Sequence, residues 1–596
     1  MGWGVFYTAS AARVRWLAAC SFVWAGMAAS AAPSGNAPPA HIAHRPALGL
    51  IVQFKDAPAH AARPKALGRN EAPSPADAEH ERVQRVLDKA GLHVKRLRPV
   101  MRSAQLLDFG RVLSATEAAA LAEQLRQRPE VAWVEPNVRE PALQVPFDPL
   151  FPATSSSTGQ WWMFPVSGSD NLPITERRRG VPGLQSAWAT HTGSAAAVVA
   201  VLDTGVTSHP DLDPHVLPGH DLVSDVEYAN DGNGRDADAS DPGDWVDEAD
   251  LAAYPALFDS CELTGSSWHG TDIAGIIAAA SNNGIGVAGV NWDGRVLPVR
   301  VAGKCGASVT DIVDGMRWAA GLSVSGLPIN PNPARVVNIS FGGSGSCSPY
   351  QAAIDELRAM GVVVVAAAGN QSAGVSRPAK CPGVIGVAAM NRDGFKATYA
   401  NFGPEVSVAT VGGDPASMGA WGSLGDDGLL ALDNHGDTVP GPPGYSRLFG
   451  SSFSAPIVSG VVSLMLSVNP GLSGAQIAEG LRLSARPHVT SPAIGQCSAQ
   501  NPGRCICTAA TCGAGLLDAA QALAYAGNPG AYVAPAWPAV AIDNPDVESA
   551  AALGPDLPSN TAPAATGGGG GALGLPWLLG LTLAVCALAG SRRRSP

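Results

Sequence analysis

At 596 residues, the chain is too long for one average domain, and 50 Asp and Glu against 39 Lys and Arg give it a formal charge of −11. With no basic block in mid-chain, that balance argues against a nucleic-acid binder, which needs a concentrated cationic face. Charged residues are sparse and Gly and Ala abundant, so at least one segment should close a sizeable core.

Residues 1–31 read as an export signal. Arg13 and Arg15 precede an apolar run from Trp16 to Ala28, and Ala29-Ser30-Ala31 supplies small residues for cleavage. The run is short for a membrane anchor. Residues 32–145 then carry a small α+β pattern. Strands are predicted at Leu50–Phe54, Val94–Leu97, Gln105–Phe109 and Val131–Asn137, and helices at Ala76–Ala90 and Ala118–Arg126. Ser114-Ala115-Thr116-Glu117 has the form of a capping box for the second helix.

The large unit spans residues 146–527. Short strands that are apolar throughout (Ala197–Leu202, Arg295–Arg300, Val336–Ser340, Val362–Ala367, Val384–Val387) alternate with helical stretches. That pattern predicts an α/β fold, a doubly wound parallel sheet with helices on both faces, with functional loops at the carboxyl ends of the strands. Residues 528–566 turn Pro- and Ala-rich and are expected to form an extended linker. Residues 567–596 comprise five glycines (Gly567–Gly571), an apolar stretch Ala572–Gly590 and Arg592-Arg593-Arg594. The stretch is near the ~20 residues a bilayer needs, despite Pro576, and its arginines would stay cytoplasmic.

Of ten cysteines, Cys20 lies in the signal and Cys586 in the tail. The remaining even set (Cys261, Cys305, Cys347, Cys381, Cys497, Cys505, Cys507, Cys512) suits a disulfide framework in an oxidising compartment. A zinc site is the rival for the late cluster, but Cys505-Ile506-Cys507 lacks the usual C-x-x-C spacing. Connectivity stays open, with Cys261–Cys305 and Cys347–Cys381 preferred.

Four segments carry chemistry. In Ala200-Val201-Leu202-Asp203-Thr204-Gly205 a buried strand ends on a carboxylate, placed to orient an imidazole. Asp-Thr-Gly also marks aspartic peptidases, which would require a homodimer here because the motif occurs once. Ser267-Trp268-His269-Gly270-Thr271-Asp272 puts a histidine at a helix start, where a half-buried histidine without a catalytic role is the ordinary alternative. Gly450-Ser451-Ser452-Phe453-Ser454-Ala455-Pro456 puts Ser452 at the start of an apolar helix, whose free N–H groups can stabilise an oxyanion; a simple helix cap is the alternative. Val362–Asn370 ends a buried strand on an amide, Asn370, able to donate to developing charge.

In the order Asp, His, Asn, Ser, these segments resemble the subtilase family of serine endopeptidases, and the triad order is subtilisin's. The resemblance extends over Gln144–Ala526. It implies that Asp203 orients the imidazole, His269 is general base and then acid, Ser452 is the nucleophile and Asn370 donates to the oxyanion. Asn338-Ile339-Ser340-Phe341-Gly342-Gly343 resembles the strand that binds substrate backbone, making Ser340, Phe341 and Gly342 substrate-binding. Three positions depart from the family pattern: Asp272 stands where His is usual, Ser451 where Thr is usual and Phe453 where Met is usual. The loop Gln371–Cys381 also departs and is expected to shape the primary specificity pocket.

Further implications come from the same resemblance. Asp211 with Asn283, Ile285 and Val287 is similar to the family's calcium loop, with Gln160 a further ligand, so structural Ca2+ is expected. A second acidic loop, including Asp231 and Asp236, opens like a calcium loop but lacks the terminal Glu, leaving a solvated loop equally open. The pre-145 segment resembles the propeptide that assists folding and blocks the cleft. The tail resembles signals processed by a membrane-bound sorting protease, with a permanent anchor as the competing reading. The expected product is a secreted monomer acting on proteins and peptides, with no nucleic-acid partner. An inactive fold kept as a surface binding module is the rival from another class.

Overall fold

The computed structural model describes residues 47–55, 75–101, 104–138, 145–151, 159–168, 172, 176–415 and 421–554. The export signal and the Gly-rich, apolar tail lie outside the described residues. Two compact units divide between Val138 and Arg139.

In the first unit, β1 (Ala47–Phe54), α1 (Pro75–Lys89), β2 (Arg96–Met101), β3 (Ala104–Asp108), α2 (Ala115–Arg126) and β4 (Val131–Val138) form an antiparallel sheet in the order β2-β3-β1-β4. Strands and helices fall close to where the hydrophobic periodicity placed them, except that β2 starts at Arg96 and runs to Met101 instead of spanning Val94–Leu97. Leu50, Val52 and Phe54 on β1 alternate inward against Val83 and Leu87 of α1 and Ala122 and Leu125 of α2. The capping box is half formed: Ser114 accepts the Glu117 N–H at 3.2 Å, but the Glu117 carboxylate turns to Arg111.

The second unit begins with α3 (Leu184–Trp188) and β5 (Val198–Asp203). A long crossover carrying β6 (His220–Asp221), α4 (Val226–Ala229) and α5 (Glu248–Ala253) reaches α6 (His269–Ala278). Then follow β7 (Arg295–Arg300), a small ribbon of β8 (Ala302–Gly303) and β9 (Gly306–Ala307), and α7 (Val309–Ala319). Next come β10 (Val336–Ile339), α8 (Ser348–Ala359), β11 (Val363–Ala367), β12 (Val384–Met390) and β13 (Val406–Val411). A hairpin, β14 (Leu429–Asn434) and β15 (Pro443–Leu448), leads into α9 (Ser451–Val468). The described chain closes with α10 (Gly474–Ser484), β16 (Val489–Thr490), α11 (Ala519–Gly527), β17 (Val540–Ala541) and α12 (Pro545–Ala552).

The main sheet has seven strands in the order β13-β12-β11-β10-β5-β7-β6, every pair parallel. Its strands are apolar throughout because alternate residues serve two different cores. Val199 and Val201 of β5 join α6 and α9, whereas Ala200 and Leu202 join α7 and α8. Likewise Val363 and Val365 of β11 face one core, and Val364 and Ala366 the other. This is the doubly wound arrangement expected from the sequence. α9 is apolar and long enough to cross a membrane, yet 89% of it is buried inside the fold, which is what a central core helix requires.

One boundary needs correction. The stretch after residue 527 is not an extended linker as far as residue 554. Its strand β17 pairs with β16, α12 follows, and Ile542, Val547 and Ala550 bury completely. Arg177 further ties α12 down through Asp546 at 2.9 Å. A Pro- and Ala-rich composition concealed three well-spaced apolar anchors.

The eight cysteines form Cys261–Cys305, Cys347–Cys381, Cys497–Cys505 and Cys507–Cys512. The sulfurs of Cys497, Cys507 and Cys512 lie within 4.8 Å of one another, close enough for a metal, but all three are spent in these bonds.

Close packing of α9 depends on glycine. A Cβ on Gly460 would sit 2.6 Å from Val290 Cβ, so Gly460→Ala should lower unfolding stability by about 1–3 kcal/mol. Urea melts in a Ser452→Ala background, where self-digestion cannot interfere, would measure it.

Candidate active site

The carboxyl ends of the central strands bring all four sequence motifs together. Asp203 closes β5 and is fully buried, and its Oδ1 lies 2.8 Å from Nδ1 of His269, the first residue of α6. The two elements are stitched at this point. Thr204 Oγ1 accepts the Gly270 N–H at 3.0 Å and donates to Asp241 at 2.6 Å. Gly270 packs so closely on Gly205 that a Cβ there would stand 2.0 Å from the Gly205 carbonyl oxygen. Trp268, just before His269, is held at φ +51° and anchors its indole N–H on the Gly436 carbonyl at 2.7 Å. Left-handed backbone at a bulky residue costs energy, and here it aims the start of α6.

Ser452 is the second residue of α9. Its Oγ donates to the Ser340 carbonyl at 3.1 Å, and Ser340 Oγ donates back to the Ser452 carbonyl at 2.8 Å. That carbonyl is free because Pro456, four residues on, has no N–H to offer it. Asn338 joins the network, donating to Ser340 Oγ at 3.0 Å and accepting from Ser459 at 2.8 Å. β10 and α9 are therefore locked in register around the serine. His269 Nε2 is buried and makes no hydrogen bond. The imidazole packs against both Phe341 and Phe453, the residues following Ser340 and Ser452, with ring centroids 5.4 and 5.5 Å away.

Asn370 lines the same pocket as Ser452. Its Oδ1 accepts both the Ser451 N–H and the Ser451 hydroxyl at 2.8 Å, which leaves the amide nitrogen for the pocket. Ser451 Oγ also accepts the Gly369 N–H at 3.0 Å. Sequence reasoning noted Ser451 only as a departure; its role as the group that orients Asn370 needs a contact across 81 residues. Ser340, Phe341 and Gly342 form one wall of the pocket, and Gln371 and Ser376 from the 371–381 loop form another.

The electrostatics raise the proton affinity of the imidazole. Burial opposes protonation of His269, but the Asp203 carboxylate, helped by Asp244 and Asp241, outweighs it and raises the pKa above the usual histidine value. With Asp203 engaged on His269, its reading as half of an aspartic-peptidase pair falls away. Asp272 behaves differently. It is 2% exposed, one carboxylate oxygen has no partner, and burial together with the charges of Asp433, Asp203, Asp241 and Asp244 pushes its pKa well above the ordinary range.

The calcium-loop residues converge only in part. Asp211 accepts from Asn283 at 2.7 Å and from the Val287 N–H at 2.8 Å, and Asn283 Oδ1 accepts the Ile285 N–H at 2.9 Å. Asp148, not foreseen as a ligand, binds the Asn282 and Asn283 N–H groups of the same loop. Burial raises the pKa of Asp211 to about 6, Asp148 adding to the shift, and raises that of Asp148 as well. Among the described residues neither carboxylate has an ion-pair partner. Two adjacent buried carboxylates with an amide oxygen are a donor set that fits a hard divalent cation. Gln160 holds the Ala288 backbone with both ends of its amide, at 2.7 and 2.8 Å.

The second acidic loop is not assembled for a metal. Asp231 pairs with Arg300 at 2.8 Å, and Arg300 also grips Asp221. Asp236 is occupied by Asn233 and by the Asp238 N–H. A basic side chain distant in sequence already supplies the cation there.

The folded pKa of Asp272 exceeds the unfolded one, so the stability it allows is intact below about pH 4 and is lost as pH rises toward the folded value. Asp272→Asn mimics the protonated acid and should melt increasingly above its parent as pH climbs from 4 to 9. Thermal melts across that range, in a Ser452→Ala background, check the sign.

Comparison with known proteins agrees with this geometry. Residues 194–510 match the family described as the Subtilase family. An "Extracellular protease" of Xanthomonas campestris pv. campestris is 37% identical over 486 residues, covering 80% of this chain and 73% of that protein. An "Extracellular basic protease" of Dichelobacter nodosus is 35% identical, covering 63% of this chain and 57% of its own length. Among solved structures, a protease from Pseudoalteromonas arctica is 40% identical, with a TM-score of 0.53 over 64% of this chain and all of that one. The chain belongs to the subtilase family and is a serine-type endopeptidase.

Proposed function

We propose that the chain is a secreted endopeptidase that cleaves internal peptide bonds through an acyl-enzyme on Ser452. The observation that carries this reading is the buried His269, held by Asp203 through Nδ1 and left with Nε2 unpartnered beside the Ser452 segment. A serine hydroxyl needs such a base, and catalytic hydrogen bonds often close only when substrate arrives. Ser452 Oγ attacks the carbonyl carbon while Nε2 takes its proton. The imidazolium, stabilised by Asp203, then gives that proton to the leaving amine. Water repeats the sequence to release the acid. The oxyanion receives the Asn370 amide and the backbone N–H groups at the start of α9, where intrahelical partners are lacking. Ser340, Phe341 and Gly342 hold the substrate backbone, and the 371–381 loop sets side-chain preference.

Residues 32–145 act as a propeptide, a reading supported by the separate α+β unit at 47–138. Secretion is supported by the residue 1–31 pattern, by the four disulfides and by the naming of the relatives as extracellular proteases. A membrane-bound sorting protease acting at the tail, and a monomeric mature enzyme, belong to the same reading. Calcium would be held by Asp148, Asp211 and Asn283 with carbonyls of the Ile285–Val287 segment, bracing the loop electrostatically.

A fluorophosphonate should label the mature protein once and fail to label Ser452→Ala; labelling that survives would overturn the assignment. Asn370→Ala should lower kcat by about 10²–10³-fold with KM little changed, as for a single oxyanion donor. Calcium should raise the melting temperature, chelation should lower it, and the difference should vanish in an Asp148→Asn, Asp211→Asn double variant. Calorimetry with and without a chelator decides this.

A further inference from the structure

Hydrogen bonding alone underdetermines His269. Asp203 fixes Nδ1, but one hydrogen bond leaves the ring free to swing about its axis, and Nε2 has no partner to stop it. What restricts it is aromatic. Phe341 approaches with its ring tilted 56° and Phe453 with its ring tilted 55°, at 5.4 and 5.5 Å between centroids. Both phenylalanines are more than nine-tenths buried, so neither ring is free to leave. Their placement is tied to the nucleophile. Each follows a serine of the reciprocal Ser340–Ser452 pair, so the contact that locks β10 to α9 also fixes the spacing of the rings.

The rings also bear on charge. His269 occupies the first position of α6, where the helix dipole disfavours a cation. An aromatic face within about 6 Å attracts one. We propose that Phe341 and Phe453 form an aromatic bracket that holds the plane of the His269 imidazole and stabilises the imidazolium formed during turnover. They are positioning residues, acting through His269, and the inference rests on His269 being the catalytic base. A thioether at position 453 would fill the same space without a ring face.

The test varies ring electrons at constant shape. Phe453 is replaced by 3,5-difluorophenylalanine, and in parallel by Leu and by Tyr. The other groups facing the imidazole are unchanged across this series: Asp203 from β5, Asp241 and Asp244 from the crossover, Asp272 on α6, and Asp433 from β14 through its effect on Asp272. The acid limb of the kcat/KM profile of the mature enzyme reports the free-enzyme base. It should move to lower pH by about 0.5 in the fluorinated and Leu enzymes and return in the Tyr enzyme. Their kcat should fall roughly 2–5-fold with KM unchanged. Limbs that overlay the parent in the fluorinated enzyme, while His269→Ala is inactive, would overturn the bracket alone. Activity retained in His269→Ala would overturn the base assignment beneath it.

Discussion

The structure turns on one buried contact, the 2.8 Å hydrogen bond between Asp203 and His269. A carboxylate with no exposure is costly unless its charge is answered, and the imidazole answers it only if α6 starts at the right height above the end of β5. Much of the surrounding architecture serves that height. Gly205 and Gly270 have no side chains because their backbones touch, the Thr204 hydroxyl ties Gly270 to Asp241, and Trp268 accepts a strained conformation to turn into the helix. The strands behind are apolar on both faces because two layers of helices must clamp the sheet that carries Asp203.

Around the pair, charge is distributed unevenly and with a purpose. Buried Asp241 and half-buried Asp244 lie near the imidazole and reinforce Asp203, while burial first, and then the charges of the same neighbours, raise the pKa of Asp272. Further along the crossover, Arg300 neutralises Asp221 and Asp231, and Lys304 pairs with Asp250 at 2.7 Å beside the Cys261–Cys305 bridge. Positive charge therefore fastens the crossover from β7 outward, and the carboxylates nearest the imidazole are left without an ion-pairing lysine or arginine among the described residues.

Much of this was legible in the sequence. The doubly wound sheet follows from strands without polar faces, and the four chemical segments each combine a reactive group with a strand end or helix start. What escaped required contacts between distant residues. Asp148 stands 63 positions from Asp211 and looks like any loop carboxylate until both meet one loop, Asp148 accepting the Asn282 and Asn283 N–H groups and Asp211 the Val287 N–H. Gln160 could equally ligate a metal or satisfy a backbone, and only the fold shows Ala288 in reach. Asp231 resembled a ligand because Arg300, which takes it, lies 69 residues away. Residues 528–554 read as linker because Ile542, Val547 and Ala550 are too few to make a periodic pattern, yet each finds a pocket.

That closing segment has a meaning for an enzyme surrounded by copies of itself. A peptidase attacks whatever extended chain it meets, including its own ends. By giving a strand to β16 and a helix to the surface beside Trp421, residues 540–552 withdraw the carboxyl side of the catalytic unit from that fate. Cleavage within residues 540–552 would first require that strand and helix to come off the fold.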